Sequence, residues 1–188
     1  MADRDSQVIV VGGGLAGTAA AIATAQLGFS TIHLAPPAPP DRRTSALMMP
    51  SVDYLTSAGL VADPASVGHP LTRIRIIEAT SRLIRAPEAL FDATEIGLPA
   101  FGWNFPNIAL LERFQAVAAE LPQLTTRPLG VSAYERISGG HRLTLTDGTT
   151  LSAAFVVGAD GKKSLIRGAA GFQARENPFA QAALVCDL

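Results

Sequence analysis

At 188 residues, with 48% hydrophobic side chains and a mean hydropathy of +0.27, the chain can bury the core of one domain. Lys+Arg 15 against Asp+Glu 16 leaves a net charge of −1, which removes the electrostatic case for nucleic acid or an acidic lipid surface. One cysteine, Cys186, excludes an internal disulfide and fits a reducing cytoplasm, and with His33, His69 and His141 it makes no metal-ligand spacing.

The first residues carry Asp3 and Asp5 where a secretory leader would carry bases. The apolar run behind them is broken by three glycines, so it reads neither as a leader core nor as a membrane span. Peripheral contact with a membrane is left open. Residues 7–11 (QVIVV) are a short β-branched run, the pattern of a strand buried on both faces. Residues 15–27 are Ala-rich and predict a helix, with Gly28 where a helix C′ residue belongs. Residues 31–34 read as a second buried strand. Strand, glycine turn, helix and strand together make a βαβ unit.

The turn itself, Gly12-Gly13-Gly14-Leu15-Ala16-Gly17, fits G-x-G-x-x-G. In that pattern Gly12 permits the tight turn, Gly14 lets the backbone approach a pyrophosphate, and Gly17 lets helix and strand pack closely. Phosphates then meet free N–H groups and the positive end of the helix dipole. The acid expected at the end of the second strand, for an adenosine ribose, is absent; Ala35 stands there. Asp41 could replace it only if the loop carrying Pro36, Pro37, Pro39 and Pro40 folds back. That loop reads as a stiff surface segment in preference to a partner-binding PxxP ligand.

Residues 44–60 predict a helix kinked or divided at Pro50. Residues 74–78 and 82–84 predict a hairpin around Thr80-Ser81. Residues 107–121 predict an amphipathic helix stopped by Pro122. Residues 131–137, 142–146 and 150–157 predict a meander turning at Gly139-Gly140 and Asp147-Gly148, the latter a plain hairpin turn. Residues 162–170 predict a last helix. Before it, a buried strand ends in Asp160-Gly161, at the ligand crevice of an α/β sheet. Asp160 can accept ligand hydroxyls there, or it can cap the helix.

Three stretches together resemble the flavoprotein aromatic hydroxylases of the para-hydroxybenzoate hydroxylase type, and among them the ubiquinone-biosynthesis branch. They are the glycine loop, Asp41-Arg42-Arg43-Thr44-Ser45-Ala46-Leu47 as D-x-R-x-x-A-L, and Asp160-Gly161-Lys162-Lys163-Ser164-Leu165-Ile166-Arg167 as D-G-x-x-S-x-x-R. The resemblance implies an α/β fold, a Rossmann-like FAD-binding domain with a parallel sheet and a small antiparallel β-meander. It implies FAD held by Gly12, Gly14 and Gly17, with Arg43 facing the phosphates and Asp160 at the ribityl or pyrophosphate region. Asn107 falls where the family places an amide for the ribityl chain; an N-cap role competes with that reading, as a solvated loop shared with Arg42 does for Arg43. The implied activity is hydroxylation of a small aromatic substrate, a phenolic ubiquinone precursor, with NAD(P)H as electron donor and O2 as co-substrate. No catalytic acid or base is assigned within these residues.

The family's later Gly-Asp motif is matched nowhere here. Residues 1–176 are therefore expected to form the FAD-binding domain and residues 177–188 the first strand of a substrate-domain sheet that is cut short. Two other readings stand beside this one. A nicotinamide-dependent dehydrogenase explains the glycine loop but neither later motif. A non-catalytic binding module, or one half of a split enzyme, explains the missing Gly-Asp motif.

Overall fold

A computed structural model describes residues 4–180. The chain opens with strand β1 (Ser6–Val11), helix α1 (Leu15–Gln26) and strand β2 (Thr31–Leu34). Along β1 the side chains alternate: Val8 and Val10 pack with Ala21 of α1, whereas Ile9 and Val11 join a core on the opposite face. Both faces are covered, which is why this stretch reads as an unbroken apolar run. Helix α1 ends before Gly28, whose φ of 86° is the left-handed conformation a glycine adopts at low cost.

The next segment departs from the expected helix over residues 44–60. Residues here form strand β3 (Thr44–Met48) and only then helix α2 (Met49–Ser57), with Pro50 in the first turn, where a missing N–H costs nothing. A two-residue strand β4 (His69–Pro70) follows, then β5 (Arg73–Ile76) and β6 (Ala89–Asp92). The hairpin expected around Thr80-Ser81 is corrected in the same way. Strand β5 pairs with residues 89–92, and residues 82–84 lie in the long connection. Cross-strand ion pairs Arg73–Asp92 (2.8 Å) and Arg75–Glu88 match the true register.

Strand β7 (Gly102–Pro106) sits between β3 and β4 in a small antiparallel sheet and runs straight into helix α3 (Asn107–Ala119). Strand β8 (Leu124–Arg127) follows. The meander is β9 (Val131–Ile137), β10 (Gly140–Leu145) and β11 (Thr150–Gly158), and the last helix is α4 (Leu165–Ala169), shorter than residues 162–170. At Asp147-Gly148 the carboxylate accepts from Thr149 N and Gly148 has φ 86°, a hairpin turn as read.

One six-stranded sheet in the order β8-β2-β1-β11-β10-β9 organises the domain. Strands β8, β2, β1 and β11 are parallel, and β11 continues antiparallel into β10 and β9. The meander is thus the other wing of the same sheet. A second core, containing Ile22, Val52, Leu55, Phe105, Leu110 and Phe114, packs α1, α2 and α3 together. Ile166 of α4 packs into the core on the meander's side, with Leu143, Leu145 and Leu151. Residues 177–180 carry no strand, and 181–188, the rest of the expected substrate-domain strand, lie outside the described residues.

Candidate functional site: a diphosphate cradle

Strands β1 and β11 lie side by side, Val11 opposite Gly158. From their ends the chain leaves toward opposite faces: β1 feeds α1, which packs with Val8 and Val10, and β11 feeds α4 beside the other core. A parallel sheet has its ligand crevice where neighbouring strands send their connections to opposite sides. The glycine loop and Asp160 occupy the two lips of that crevice.

The three motif glycines are glycine for different reasons. Gly12 has φ 126°, and a Cβ there would overlap the Ala159 carbonyl. A Cβ on Gly17 would overlap the Gly12 carbonyl. Both residues are fixed by the protein's own packing. Gly14 differs: its φ of −80° and ψ of 179° suit any residue, and a Cβ would find nothing within 4 Å. Neither conformation nor packing requires glycine at 14, and the position leaves open space at the head of helix α1. Helix α1 begins there with no side-chain cap and no acidic residue in its first turn. Its free N–H groups and dipole form a seat for an anion. The cradle fits the diphosphate of a dinucleotide.

Asp41, Arg43 and Asn107 are brought together. The Asp41 carboxylate accepts from Arg43 Nε (2.7 Å), Arg43 Nη2 (2.8 Å) and Asn107 Nδ2 (2.8 Å), while Ser45 Oγ donates to Asn107 Oδ1 at 2.6 Å. The Arg43 and Asn107 hydrogen bonds hold the Asp41 carboxyl far below the usual carboxylate range. Asp41 is therefore committed to this cluster and is not spare to replace the missing acid at Ala35. Asn107 is not an N-cap: it is the first helical residue, Pro106 holds the cap position, and the residue is buried, 7% exposed. Arg43 is exposed yet paired with Asp41, so it is not merely a solvated base. Helix α3 runs into the parallel strand β8, which sets its N-terminus, and with it this cluster, at the same edge of the sheet as the glycine loop.

Asp160 accepts from Ser164 Oγ and from Ile166 N (3.2 Å), and Ser164 Oγ accepts from Arg167 N at 2.9 Å. Burial opposes its ionisation, but these hydrogen bonds outweigh it and hold the carboxyl below the ordinary range. Asp160 thus braces the start of α4, and its backbone N lies 3.0 Å from the position a Gly12 Cβ would take, which sets the residue beside the Gly12 turn. Among the described residues no group of three or more His, Cys, Asp or Glu could hold a metal.

Sequence reasoning missed His33 and Ser45. Nothing in a lone histidine within TIHL marks it, and Ser45 is set against Asn107 only by the pairing of β3 with β7.

A parallel sheet, a glycine turn with one position kept open, and an uncapped helix define a dinucleotide-binding domain. More narrowly, the chain belongs to the family described as "FAD binding domain", whose model matches residues 5–185. It is 32% identical over 195 residues to 3-demethoxyubiquinol 3-hydroxylase of Escherichia coli (strain K12), covering 98% of this chain and 49% of that protein. It is 31% identical over 192 residues to ubiquinone hydroxylase UbiL of Rhodospirillum rubrum, covering 98% and 44%. Aklavinone-11 hydroxylase, solved in a ternary complex with FAD and aklavinone, superposes with a TM-score of 0.70 at 25% identity, over 91% of this chain and 36% of that one. The chain spans about half the length of the curated relatives it matches. The flavoprotein hydroxylase family and the α/β fold expected from the three motifs are borne out.

Proposed function

We propose that this chain is the FAD-binding part of an NAD(P)H- and O2-dependent hydroxylase acting on a phenolic ubiquinone precursor. The observation that carries the cofactor reading is the open position at Gly14, at the head of an uncapped helix. The names of the two curated relatives support the substrate class. A nicotinamide-dependent dehydrogenase would leave the match over residues 5–185 unexplained.

In this reading Gly12, Gly14 and Gly17 shape the seat for the FAD diphosphate. Arg43 keeps its Nε and Nη2 bonds to Asp41 and turns its remaining N–H groups to a phosphate oxygen. Asn107, held by Ser45 and Asp41, orients its amide for the ribityl hydroxyls, and Asp160 accepts from the cofactor's hydroxyls on the other lip. When bound, FAD supplies the redox chemistry between NAD(P)H, O2 and the ring, while the protein orients and excludes water. Residues 1–176 form this domain and 177–188 begin the substrate domain. The setting is cytoplasmic with peripheral membrane contact, supported only by the lipid-quinone substrates in the relatives' names; no helix among the described residues is long and apolar enough to cross a membrane.

The test is made on the whole protein to which the chain belongs. It should purify yellow, oxidise NAD(P)H faster when a phenolic ubiquinone precursor is added, and return that ring with one added oxygen. A colourless protein that binds a nicotinamide in place of FAD would sink the proposal.

A further inference from the structure

His33 lies in β2 with 2% of its surface exposed, paired in register with Val10 on one side and Thr126 on the other. Its Nε2 is 2.9 Å from the Gly12 carbonyl oxygen, 21 residues away in sequence. Burial holds the imidazole below the ordinary histidine range, against the opposing pull of the Gly12 hydrogen bond, so it is neutral at pH 7. A neutral ring carries one N–H, and the nitrogen facing a carbonyl must be the one that carries it. The cavity of about 270 Å³ beside the ring, lined also by Thr18, Gln115 and Thr126, brings no other ionisable side chain to it.

The peptide this bond holds joins Gly12 to Gly13. Neither residue has a Cβ, so their own side chains do not fix that peptide plane, and its carbonyl is packed on the Gly17 Cα without a hydrogen bond from it. Its orientation decides what the cradle presents. In a planar trans peptide the C=O and the following N–H point in opposite directions. With the Gly12 carbonyl drawn inward to His33, the Gly13 N–H is turned outward; flipped, the carbonyl would face the anion and repel it. The other fastenings are at different points: Gly12 N donates to Leu34 O at 2.9 Å, and Thr18 N and Oγ1 take the Gly14 carbonyl at 2.9 and 3.0 Å. Gly17 makes room for the Gly12 carbonyl but offers it no directional bond at its Cα.

We propose that His33 is the positioning residue of the diphosphate cradle, its Nε2–H latching the Gly12–Gly13 peptide so that the Gly13 N–H faces the ligand. The inference rests on the cradle reading given under the proposed function. The test compares the flavin-free whole protein to which the chain belongs with its His33→Leu, His33→Gln and His33→Asn variants, titrated with FAD, ADP and adenosine and melted without ligand. Gln can place an amide N–H near the Nε2 position, whereas the Asn amide stops near Nδ1. His33→Leu should weaken FAD and ADP about tenfold, the scale of one hydrogen bond, and leave adenosine unchanged. Gln should recover most of that loss and Asn little of it, while all three melt within a few degrees of one another. Native FAD and ADP affinity in His33→Leu overturns the latch while leaving the cradle standing. So does a loss shared equally by adenosine, or one in which Gln and Asn are alike. A wild-type whole protein that binds neither FAD nor ADP overturns the cradle reading and the latch with it.

Discussion

The division among the motif glycines separates stability from binding at single residues. Gly14→Ala adds a methyl where no protein atom lies within 4 Å and where φ and ψ suit alanine. Its apoprotein should match the parent within about 0.5 kcal/mol, while FAD weakens about tenfold or more as the methyl enters the phosphate's space. Gly17→Ala should instead lose roughly 1–3 kcal/mol of folding stability, because the Gly12 carbonyl cannot retreat from the new methyl. Urea melts and FAD titrations on both variants check this, and equal effects on the two observables would refute it. Asp160 adds a pH dependence. Its folded-state carboxyl titrates below the ordinary value, so its charge stabilises the fold above an unfolded pKa of about 4, and that contribution fades as pH falls below it. Asp160→Asn should therefore be less stable than the parent by about 1 kcal/mol near neutrality, with the gap closing in acid. A gap constant from pH 7 to pH 3 would show that the carboxylate charge does not brace α4. Loss of FAD affinity in the folded variant would add the proposed cofactor role to the bracing one.

At the level of elements, the β3–β7 pair makes a sharp demand. Gly102 lies opposite Met48, and a Cβ there would overlap the Leu47 carbonyl, a backbone atom with nowhere to go. Gly102→Ala should cost roughly 1–3 kcal/mol in urea denaturation. Unchanged stability would mean that the register of β3 against β7 is wrong. The same pair shows where sequence reading stops. β1, α1 and β2 are legible because their burial pattern and glycine punctuation are local, and the meander because its two turns are written as Gly139-Gly140 and Asp147-Gly148. β3 is not legible: Ala46, Leu47 and Met48 favour a helix, and only pairing with residues some 55 positions later makes them a strand. The expected hairpin failed similarly, since β5 pairs with residues 89–92 across a long connection, with Arg73–Asp92 and Arg75–Glu88 as cross-strand ion pairs. The site divides along the same line. The cradle is spelled by its glycines, but the bond of Asp41 to Asn107, 66 residues apart, and that of His33 to Gly12 exist only once strands and helices are assembled.

At the scale of the whole molecule, a net charge of −1 gives copies of the chain little electrostatic repulsion. The register of β5 with β6 puts Ile74, Ile76, Ala89 and Phe91 on one side of a two-stranded ribbon, with the Arg73–Asp92 pair on the other. Ile76 is 57% exposed and Phe91 48%, and Leu83 and Ile84 in the connection are almost wholly so. Both edges of this ribbon lack a further strand among the described residues. Unpaired edges and a contiguous apolar face are templates for association. The 188-residue chain should therefore self-associate at micromolar concentration. The double variant Ile76→Lys, Phe91→Lys should shift it toward monomer at unchanged melting temperature, since neither side chain belongs to the buried cores. Light scattering after gel filtration checks both statements. A parent chain that stays monomeric across the concentration range would mean that the ribbon's apolar face folds back on the domain in solution. A double variant as associated as the parent would move the sticky surface elsewhere, with Phe172 and Phe179 beyond α4, 70% and 86% exposed, the next surface to charge.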